Sequence, residues 1–365
     1  MLAHYARPKL AQAYLDQLRE GEEPIALFSP RRTGKTAFLR KDLMPAGEAA
    51  GFWVVYADIW QDKTSPVAAL TYALQTAVDD IKLPHSRTGR GMATPVKKVS
   101  VLGTGVDFGD DAKRVMPESK YLRLDALLRE LVRECGKKVL LLIDEVQQLA
   151  QVDDGEEVVA SLRASLTQLQ GQVYTVLTGS SRDQLNELFS RARAPMYEFA
   201  SVIKFPLLGR DFVKFALLRF AHLTGRSLDE PVVLAAFEAL EHRPKLLQRL
   251  LDEMEANSAL SVAAALGALS AEREKEHNFP GQWRDLSALQ QAVLVRIALD
   301  EDLYSKTALL DYQQRLGTPV NPGSVNNAVD QLRKKGLISK IGRDLDYESR
   351  AFLSYVRHVA AKPAE

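Results

Sequence analysis

A short loop with the residue types of a phosphate-binding site lies near the start of the chain. Gly34, Lys35 and Thr36 follow the apolar run Ile25–Ser29 and open a segment with helical apolar spacing. In such a loop, backbone N–H groups and the helix N-terminus bind phosphate, lysine reaches the outer phosphates, and a threonine hydroxyl coordinates magnesium. The spacing therefore predicts a site for ATP with Mg²⁺. The residues predicted to surround ATP are Pro30, Arg31, Arg32, Thr33, Gly34, Lys35, Thr36 and Ala37.

One position of this loop departs from the usual pattern. Ser29 stands where the first glycine is expected. Glycine at that position relieves a steric demand on the backbone, and serine is the smallest polar residue that can replace it. Two interpretations follow, a working site with a tolerated substitution and a site that binds nucleotide but hardly hydrolyses it.

Two carboxylates at the end of a second apolar run supply the partner that the loop requires. The segment VLLLIDEVQQL, Val139–Leu149, contains a buried strand that ends in Asp144 and Glu145. Asp144 would orient magnesium together with Thr36, and Glu145 would polarise the attacking water. The loop and the carboxylates occur in the required order, each after its own strand. They predict a catalytic ATP site, and the presence of both Lys35 and Glu145 argues against a decayed one.

Two further features of the predicted site leave alternatives open. The run VYTVLTGSSRDQL ends in hydroxyl groups. Ser180 either contacts the γ-phosphate or the attacking water, or it caps the next helix, with Asp183 in the first turn. Arg31 and Arg32 either lie over the phosphates, meet a neighbouring subunit or face solvent.

The elements that must position these residues are short apolar strands that alternate with helices. Helical spacing of apolar residues occurs in Pro66–Ile81 and Tyr121–Arg133. Continuous apolar runs suit strands that are buried on both faces of a parallel sheet. The alternation predicts a three-layer α/β core with the P-loop NTPase fold. The predicted strands are Ile25–Ser29, Phe52–Ile59, Val139–Ile143, Val173–Thr178 and Ser201–Leu208.

Changes in composition divide the rest of the chain. Residues 83–117 are rich in Gly, Pro and Lys and too long for an ordinary connection, which predicts an insertion, either a plain surface loop or a functional segment. After Leu208 the pattern is helical, and a Gly/Pro break at Asn278–Trp283 precedes a third block. We therefore expect a core at 1–208, a helical lid at 209–280 and a winged helix at 281–365.

Charge and cysteine content exclude several classes of protein. Lys and Arg number 48 against 47 Asp and Glu, so no global field favours nucleic acid or anionic lipid, and any basic surface must be local. The one cysteine, Cys135, cannot form a disulfide within the chain. The N-terminus lacks the layout of a secretory signal, and no apolar run approaches the ~20 residues that span a bilayer. These features predict a cytoplasmic protein without a membrane partner.

The motifs resemble those of a known family. SPRRTGKT, LLLIDEVQQL, TGSSRD and RARAPMY occur in the order and spacing of the AAA+-related P-loop ATPases. They are most similar to the archaeal-type ATPase branch of the STAND group, relatives of the origin-recognition initiators. The resemblance covers nearly the whole chain. It implies an AAA+/ASCE-like ATPase core, a small helical lid, a C-terminal winged helix-turn-helix, and assembly into a homo-oligomer when nucleotide is bound.

The resemblance also implies functional arginines. The family often has APLYGR after its fourth core strand, whereas this chain has APMYEF at Ala194–Phe199, so that arginine is missing. Arg191 and Arg193, just upstream, either reach the γ-phosphate of a neighbouring subunit or belong to a solvated helix end. In the lid, LEHRPKLLQRLLDEM resembles the turn that opens the lid helix. There, Arg243 or Lys245 either senses nucleotide or lies exposed.

The C-terminal block resembles a winged helix-turn-helix. Asn321 can cap its third helix, with Pro322 at the first position. LRKKGLI followed by SKIGRDLDYESRAFLSYV is similar to the end of a recognition helix and a wing. If the module binds DNA, the third helix enters the major groove. The expected DNA contacts are Ser324, Asn327 and Gln331 at base edges and Arg333, Lys334, Lys335 and Lys340 at phosphates.

Two functions remain open from the sequence. The first is an ATP-driven switch in which ATP closes the lid and favours assembly, the winged helix couples that state to DNA, and hydrolysis through Glu145 resets it. The second is a nucleotide-dependent scaffold, such as a signalling or defence component, whose winged helix binds protein. The acidic wing residues Asp344, Asp346 and Glu348 repel a phosphate backbone and favour the second.

Overall fold

The computed structural model describes residues 4–21, 23–62, 64–82, 116–180, 188–189, 194–341 and 344–361. Nearly all of the predicted insertion at 83–117 lies outside these ranges. So do Arg191 and Arg193, the candidates for an arginine acting on a neighbouring subunit.

The first half of the chain forms a parallel sheet. β3 and β4 are buried along their whole length, as is β1, because helices cover both faces. This arrangement confirms the three-layer α/β core predicted from the apolar runs. The strands are β1 (Ile25–Phe28), β2 (Trp53–Asp58), β3 (Val139–Asp144), β4 (Val173–Gly179) and β5 (Ser201–Lys204), in the order β2-β3-β4-β1-β5.

The carboxyl ends of the central strands meet at one edge of the sheet. In the register, Phe28 of β1 is opposite Gly179 of β4, and Asp58 of β2 is opposite Asp144 of β3. Because all five strands are parallel, the loop after β1 and the residues after β3 and β4 lie together at this edge.

The last strand is shorter than predicted. β5 ends at Lys204 rather than at Leu208. Phe205 still donates its backbone N–H to the Phe28 carbonyl at 2.7 Å, but Pro206 has no N–H to continue the ladder.

Two groups of helices cover the sheet. One face packs against the first group and the other face against the second, and each face has its own apolar cluster. The first group is α1 (Pro8–Gly21), α2 (Lys35–Phe38) and α3 (Met44–Ala49), and the second is α4 (Pro66–Lys82), α5 (Lys120–Cys135) and α6 (Gly155–Gln168). Short 3₁₀ turns follow β2 at Ile59–Gln61 and β3 at Val146–Gln151.

A π-helical turn, Leu39–Leu43, joins α2 to α3. Pro45 lacks the N–H that a regular helix needs at that point, which accounts for the irregular turn. The turn holds Asp42, which accepts the backbone N–H of Arg7 and contacts His4 Nε2, each at 2.8 Å. The segment before α1 is thereby tied to the helix that follows the loop.

Four helices form the region predicted as a lid. Their apolar faces share one cluster, and Tyr5 packs edge-on against Phe212 with ring centroids 5.7 Å apart, which joins this region to the N-terminal segment. The boundaries of that region, 209–280, stay a prediction. The helices are α7 (Arg210–Thr224), α8 (Glu230–Ala239), α9 (Pro244–Ala256) and α10 (Val262–His277).

The C-terminal region has its own apolar cluster. Its elements are α11 (Phe279–Arg284), α12 (Ala288–Ala298), α13 (Lys306–Leu316), α14 (Pro322–Lys334), the antiparallel pair β6 (Ile338–Ile341) and β7 (Asp344–Tyr347), and α15 (Arg350–Ala360).

The wing is shorter than predicted. The expectation that it continues to Val356 is wrong in its second half, because the strands end at Tyr347 and α15 follows. Phe352, Leu353 and Val356 form the buried face of that helix. None of the helices in the described ranges is both long enough and apolar enough to cross a membrane.

Candidate functional site

The loop after β1 is closed by its own hydroxyl groups. Ser29 is fully buried, and its Oγ lies 2.6 Å from Thr33 Oγ1, which in turn donates to the Pro30 carbonyl at 2.8 Å. Arg32 and Gly34 adopt left-handed backbone conformations, with φ of 67° and 101°. Ser29 therefore contributes a hydrogen bond that the expected glycine cannot make, and this explains how the loop accommodates the departure from the pattern.

Lys35 is held inside the loop. Its Nζ donates to the Ser29 carbonyl at 2.5 Å and to the Pro30 carbonyl at 3.0 Å. Burial lowers the pKa of Lys35 to about 8, the negative charges of Glu145 and Asp144 oppose that shift, and the charge of Arg31 adds to it. The ammonium group is thus desolvated at the base of the loop, where phosphate oxygens would stabilise its charge.

Asp144 lies beside the start of the helix that follows the loop. Its Oδ2 accepts the Thr36 hydroxyl at 2.6 Å and the Tyr56 hydroxyl at 3.1 Å, and its Oδ1 accepts the Thr178 hydroxyl. The carboxylate is only 2% exposed. Burial and the charge of Asp144 raise the pKa of Tyr56, so this tyrosine stays a hydrogen-bond donor.

The donor set suits magnesium brought in with phosphate. Within the described ranges, no group of three or more His, Cys, Asp or Glu side chains forms a metal cage. The protein offers one buried carboxylate, Asp144, and one hydroxyl, Thr36. Mg²⁺ usually keeps several waters and is bound through one or two carboxylates plus substrate phosphates, so these two residues fit it.

Glu145 is held in a strained backbone conformation next to Asp144. Its φ is 60°, which is uncommon for a residue with a side chain. Its Oε2 accepts the Ser180 hydroxyl at 2.7 Å and the amide of the buried Gln147 at 2.5 Å. The left-handed turn directs the carboxylate to the end of β4, beside the loop.

Ser180 contacts Glu145, the residue predicted to polarise the attacking water. Its hydroxyl donates to Glu145 and accepts Arg31 Nε–H at 3.1 Å. The alternative role as a helix cap involves Asp183, which lies outside the described residues.

The two loop arginines have different neighbours. Arg31 contacts Ser180 and stacks over Trp60, with 4.9 Å from its guanidinium carbon to the ring centroid. Arg32 lies toward the lid, where its charge is one of the causes that lower the pKa of Arg243. The sequence did not distinguish these two positions.

In the lid, Arg243 is half-buried whereas Lys245 is exposed. Burial is the main cause that lowers the pKa of Arg243, and Glu241, which pairs with it, opposes the shift. Glu241 also lies 3.6 Å from the guanidinium of Arg273 and accepts the backbone N–H of Ala351 at 3.2 Å. The turn beside Arg243 thus contacts the first turn of α15.

The residues expected to contact DNA lie around α14. Lys334 and Lys335 are exposed, as is Asn327. Ser324 donates its N–H to Asn321 Oδ1 at 2.9 Å, so it serves the helix cap, and Gln331 accepts the Gln290 amide at 2.7 Å. Arg333 lies 3.4 Å from Asp330, and Lys340 belongs to β6. Their roles in DNA binding stay predictions.

Three residues of the site were missed from the sequence. Gln147 follows Glu145 by two positions, and its polar character inside an apolar run was the available signal. Tyr56 and Trp60 come from the β2 segment, which reaches the site only because β2 is the neighbour of β3 in the sheet. No local pattern predicts that neighbour.

Comparison with protein-family models gives no match, and comparison with curated proteins gives none either. Among solved structures, a Walker-type ATPase of Pyrococcus abyssi is similar at a TM-score of 0.64 and 18% identity, over 96% of this chain and 95% of that chain. The ORC2 protein of Aeropyrum pernix, solved as ADPNP–ADP complexes, is similar at 0.55 and 14% identity, over 96% and 92%. Such identities show the fold. This chain has the AAA+ P-loop fold of archaeal Walker-type ATPases and origin-recognition proteins.

Proposed function

We propose that the protein binds and hydrolyses ATP with Mg²⁺ and acts as a molecular switch of the AAA+/STAND type. The observation that carries the proposal is the convergence of Lys35, Thr36, Asp144 and Glu145 at one edge of the sheet. The Pyrococcus neighbour is named an ATPase, and the Aeropyrum neighbour is described with ADPNP and ADP, which supports the same ligand class. The single cysteine is in keeping with the reducing cytoplasm that the sequence predicts.

Each side chain has a role that follows from its position. Lys35 gives up its hydrogen bonds to the loop carbonyls and donates to the outer phosphates instead. The backbone N–H groups at the start of α2 bind phosphate oxygens. Thr36 and Asp144 would hold Mg²⁺, which neutralises phosphate charge when bound. Tyr56 fixes the orientation of Asp144, and Glu145 orients and polarises the attacking water.

The wild-type protein is expected to release phosphate from ATP in a magnesium-dependent way. Phosphate release measured with purified protein, with and without EDTA, tests this. Nucleotide binding without any EDTA-sensitive release would leave a binding protein and contradict the catalytic part of the proposal.

We propose that ATP also drives assembly into a homo-oligomer, with Arg191 or Arg193 reaching the neighbour's γ-phosphate. The support is the family resemblance and the fixed charge and forked geometry of arginine. Light scattering coupled to size exclusion, with and without ATP, tests the assembly. An unchanged mass at saturating ATP would contradict it.

Coupling to DNA through α14 is the part of the function that has a competing interpretation. The exposed Lys334 and Lys335 favour DNA, whereas the acidic wing favours a protein partner. A scaffold whose winged helix binds protein is therefore the alternative function.

Salt dependence separates these two interpretations. If Arg333, Lys334, Lys335 and Lys340 neutralise four phosphates, duplex DNA affinity falls about 10²-fold between 50 and 200 mM salt. The double change Lys334→Ala and Lys335→Ala is expected to flatten the log–log slope by about 2, and Lys9→Ala, an exposed lysine on α1, is expected to leave it unchanged. Mobility shifts over a salt series measure the slope. A slope that the double variant does not alter would favour the scaffold.

A further inference from the structure

We propose that Arg31 is a positioning residue that reports the γ-phosphate of bound ATP to Glu145 within the same chain, through Ser180. This inference rests on the proposed ATPase function and identifies how the site distinguishes ATP from ADP. Arg31 belongs to the loop after β1, whereas Arg191 and Arg193 were predicted to act between subunits.

The first observation is a continuous chain of donors that ends on Glu145. Arg31 Nε–H donates to Ser180 Oγ at 3.1 Å, and the Ser180 hydroxyl donates to Glu145 Oε2 at 2.7 Å. The Gln147 amide donates to the same oxygen at 2.5 Å. Both donors lie on Oε2, so they fix the orientation of the carboxylate and leave its Oε1 to accept a hydrogen bond from water.

The second observation is the charge state around Arg31. Among the ion pairs formed by described residues, none involves Arg31, and its contacts are a neutral hydroxyl and the Trp60 ring. Lys35, four positions further along the same loop, is a second cation. Two cationic side chains therefore lie close together on one loop, and an anion between them relieves that repulsion.

The third observation is that Gln147 is fully buried and its Oε1 has no hydrogen-bond partner. Its Nε2 is already directed to Glu145 and lies 3.5 Å from Ser180 Oγ. A buried acceptor without a donor is costly, and a water beside Glu145 would satisfy it. The buried side chain thus keeps one acceptor free for an ordered water.

These observations give one sequence of events. A γ-phosphate offers Arg31 charge-assisted and bidentate hydrogen bonds, which are stronger than its single bond to a neutral hydroxyl. Arg31 then leaves Ser180, and the freed Ser180 oxygen accepts a water that lies beside Glu145. ADP has no γ-phosphate, so Arg31 stays on Ser180 and Trp60, and the Ser180 oxygen is not freed to hold that water.

The stacking of Arg31 on Trp60 provides a readout that does not depend on hydrolysis. A non-hydrolysable ATP analogue is expected to change the fluorescence of Trp60, because a cation over an indole ring perturbs its electronic environment. ADP is expected to leave it unchanged. A Trp60→Phe variant identifies the share of the signal from Trp53 and Trp283.

The deciding experiment measures binding, fluorescence and single-turnover hydrolysis for wild type, Arg31→Ala and Arg31→Lys. Arg31→Ala is expected to weaken the ATP analogue about tenfold more than ADP, to lose the fluorescence response, and to slow hydrolysis about 10²-fold. Arg31→Lys keeps the positive charge but lacks the forked guanidinium. Compared with Arg31→Ala, it is expected to recover part of the affinity for the analogue and little of the hydrolysis rate. Arg133→Ala, which changes an exposed arginine on α5, is the control variant and is expected to behave as wild type in all three measurements.

Failure of this inference is distinguishable from failure of the proposed function. If wild type hydrolyses ATP but Arg31→Ala weakens the analogue and ADP equally, or keeps the wild-type rate, only the inference is overturned. If wild type binds no nucleotide, both are overturned. A single-turnover rate that does not change on dilution supports action within one chain, whereas a rate that falls with dilution assigns the step to a neighbouring subunit.

Discussion

Glu145→Gln is expected to slow ATP hydrolysis by 10²- to 10⁴-fold while ATP still binds, because a carboxylate that polarises the attacking water contributes a rate factor of about this size. The glutamine amide keeps the shape and still accepts the Ser180 hydroxyl through its oxygen. It cannot take a proton from water. Phosphate release under saturating ATP measures the rate, and titration with a non-hydrolysable analogue measures the affinity.

A matched control uses another glutamate of the same segment. Glu156→Gln, an exposed residue in the first turn of α6, is expected to leave both the rate and the affinity unchanged. Wild-type turnover by Glu145→Gln would remove Glu145 from the catalytic role.

Lys35→Ala is expected to weaken ATP binding at least 10²-fold. The change removes the charge that reaches the outer phosphates, and it removes the Lys35 hydrogen bonds to the Ser29 and Pro30 carbonyls. Lys41→Ala, an exposed lysine in the adjoining π-helical turn, is expected to bind ATP as wild type does. Calorimetric titration of both variants tests the difference, and equal affinities would contradict the site.

The pH dependence of ATP binding supplies a second test of Lys35. Burial lowers its pKa to about 8 in the free protein, and bound phosphate would raise it again. The charged form is fully present below that pKa, so affinity is flat at lower pH. Above it, the free protein must take up a proton to bind ATP, so affinity falls by up to about tenfold per pH unit.

Proton uptake near pH 8.5, measured by calorimetry in two buffers of different ionisation enthalpy, tests this linkage. It is expected in wild type and absent in Lys35→Ala at ATP concentrations that still give binding. Affinity that is independent of pH between 7 and 9.5 in wild type would show that Lys35 does not face the phosphates.

The parts of the protein that the sequence predicts well depend on local contacts. Ile25–Phe28, Val139–Asp144 and Val173–Gly179 are continuous apolar runs, and burial on both faces requires such runs wherever they occur. The loop at Gly34 and Lys35 forms from consecutive residues, so its spacing alone predicts its chemistry. The cap of α14 by Asn321 is local in the same way.

The wing was predicted to be too long because the apolar pattern of a short segment does not distinguish a strand from a helix. Asp344–Tyr347 is a strand, but Phe352, Leu353 and Val356 have helical spacing, and strand and helix assignments of short apolar segments overlap. Packing of α15 in the C-terminal cluster resolves that overlap.

The sequence by itself determined the P-loop, the paired carboxylates Asp144 and Glu145, and the alternation of strands and helices, because neighbouring residues and their periodicity suffice for these. Tertiary structure alone decided which residues surround them. The strand order places Tyr56 against Asp144, and the left-handed turn at Glu145 brings Gln147 and Ser180 to its carboxylate. Arg31 and Arg32 are adjacent and chemically alike, and only the tertiary structure distinguishes them, since Arg31 contacts Ser180 whereas the charge of Arg32 acts on Arg243.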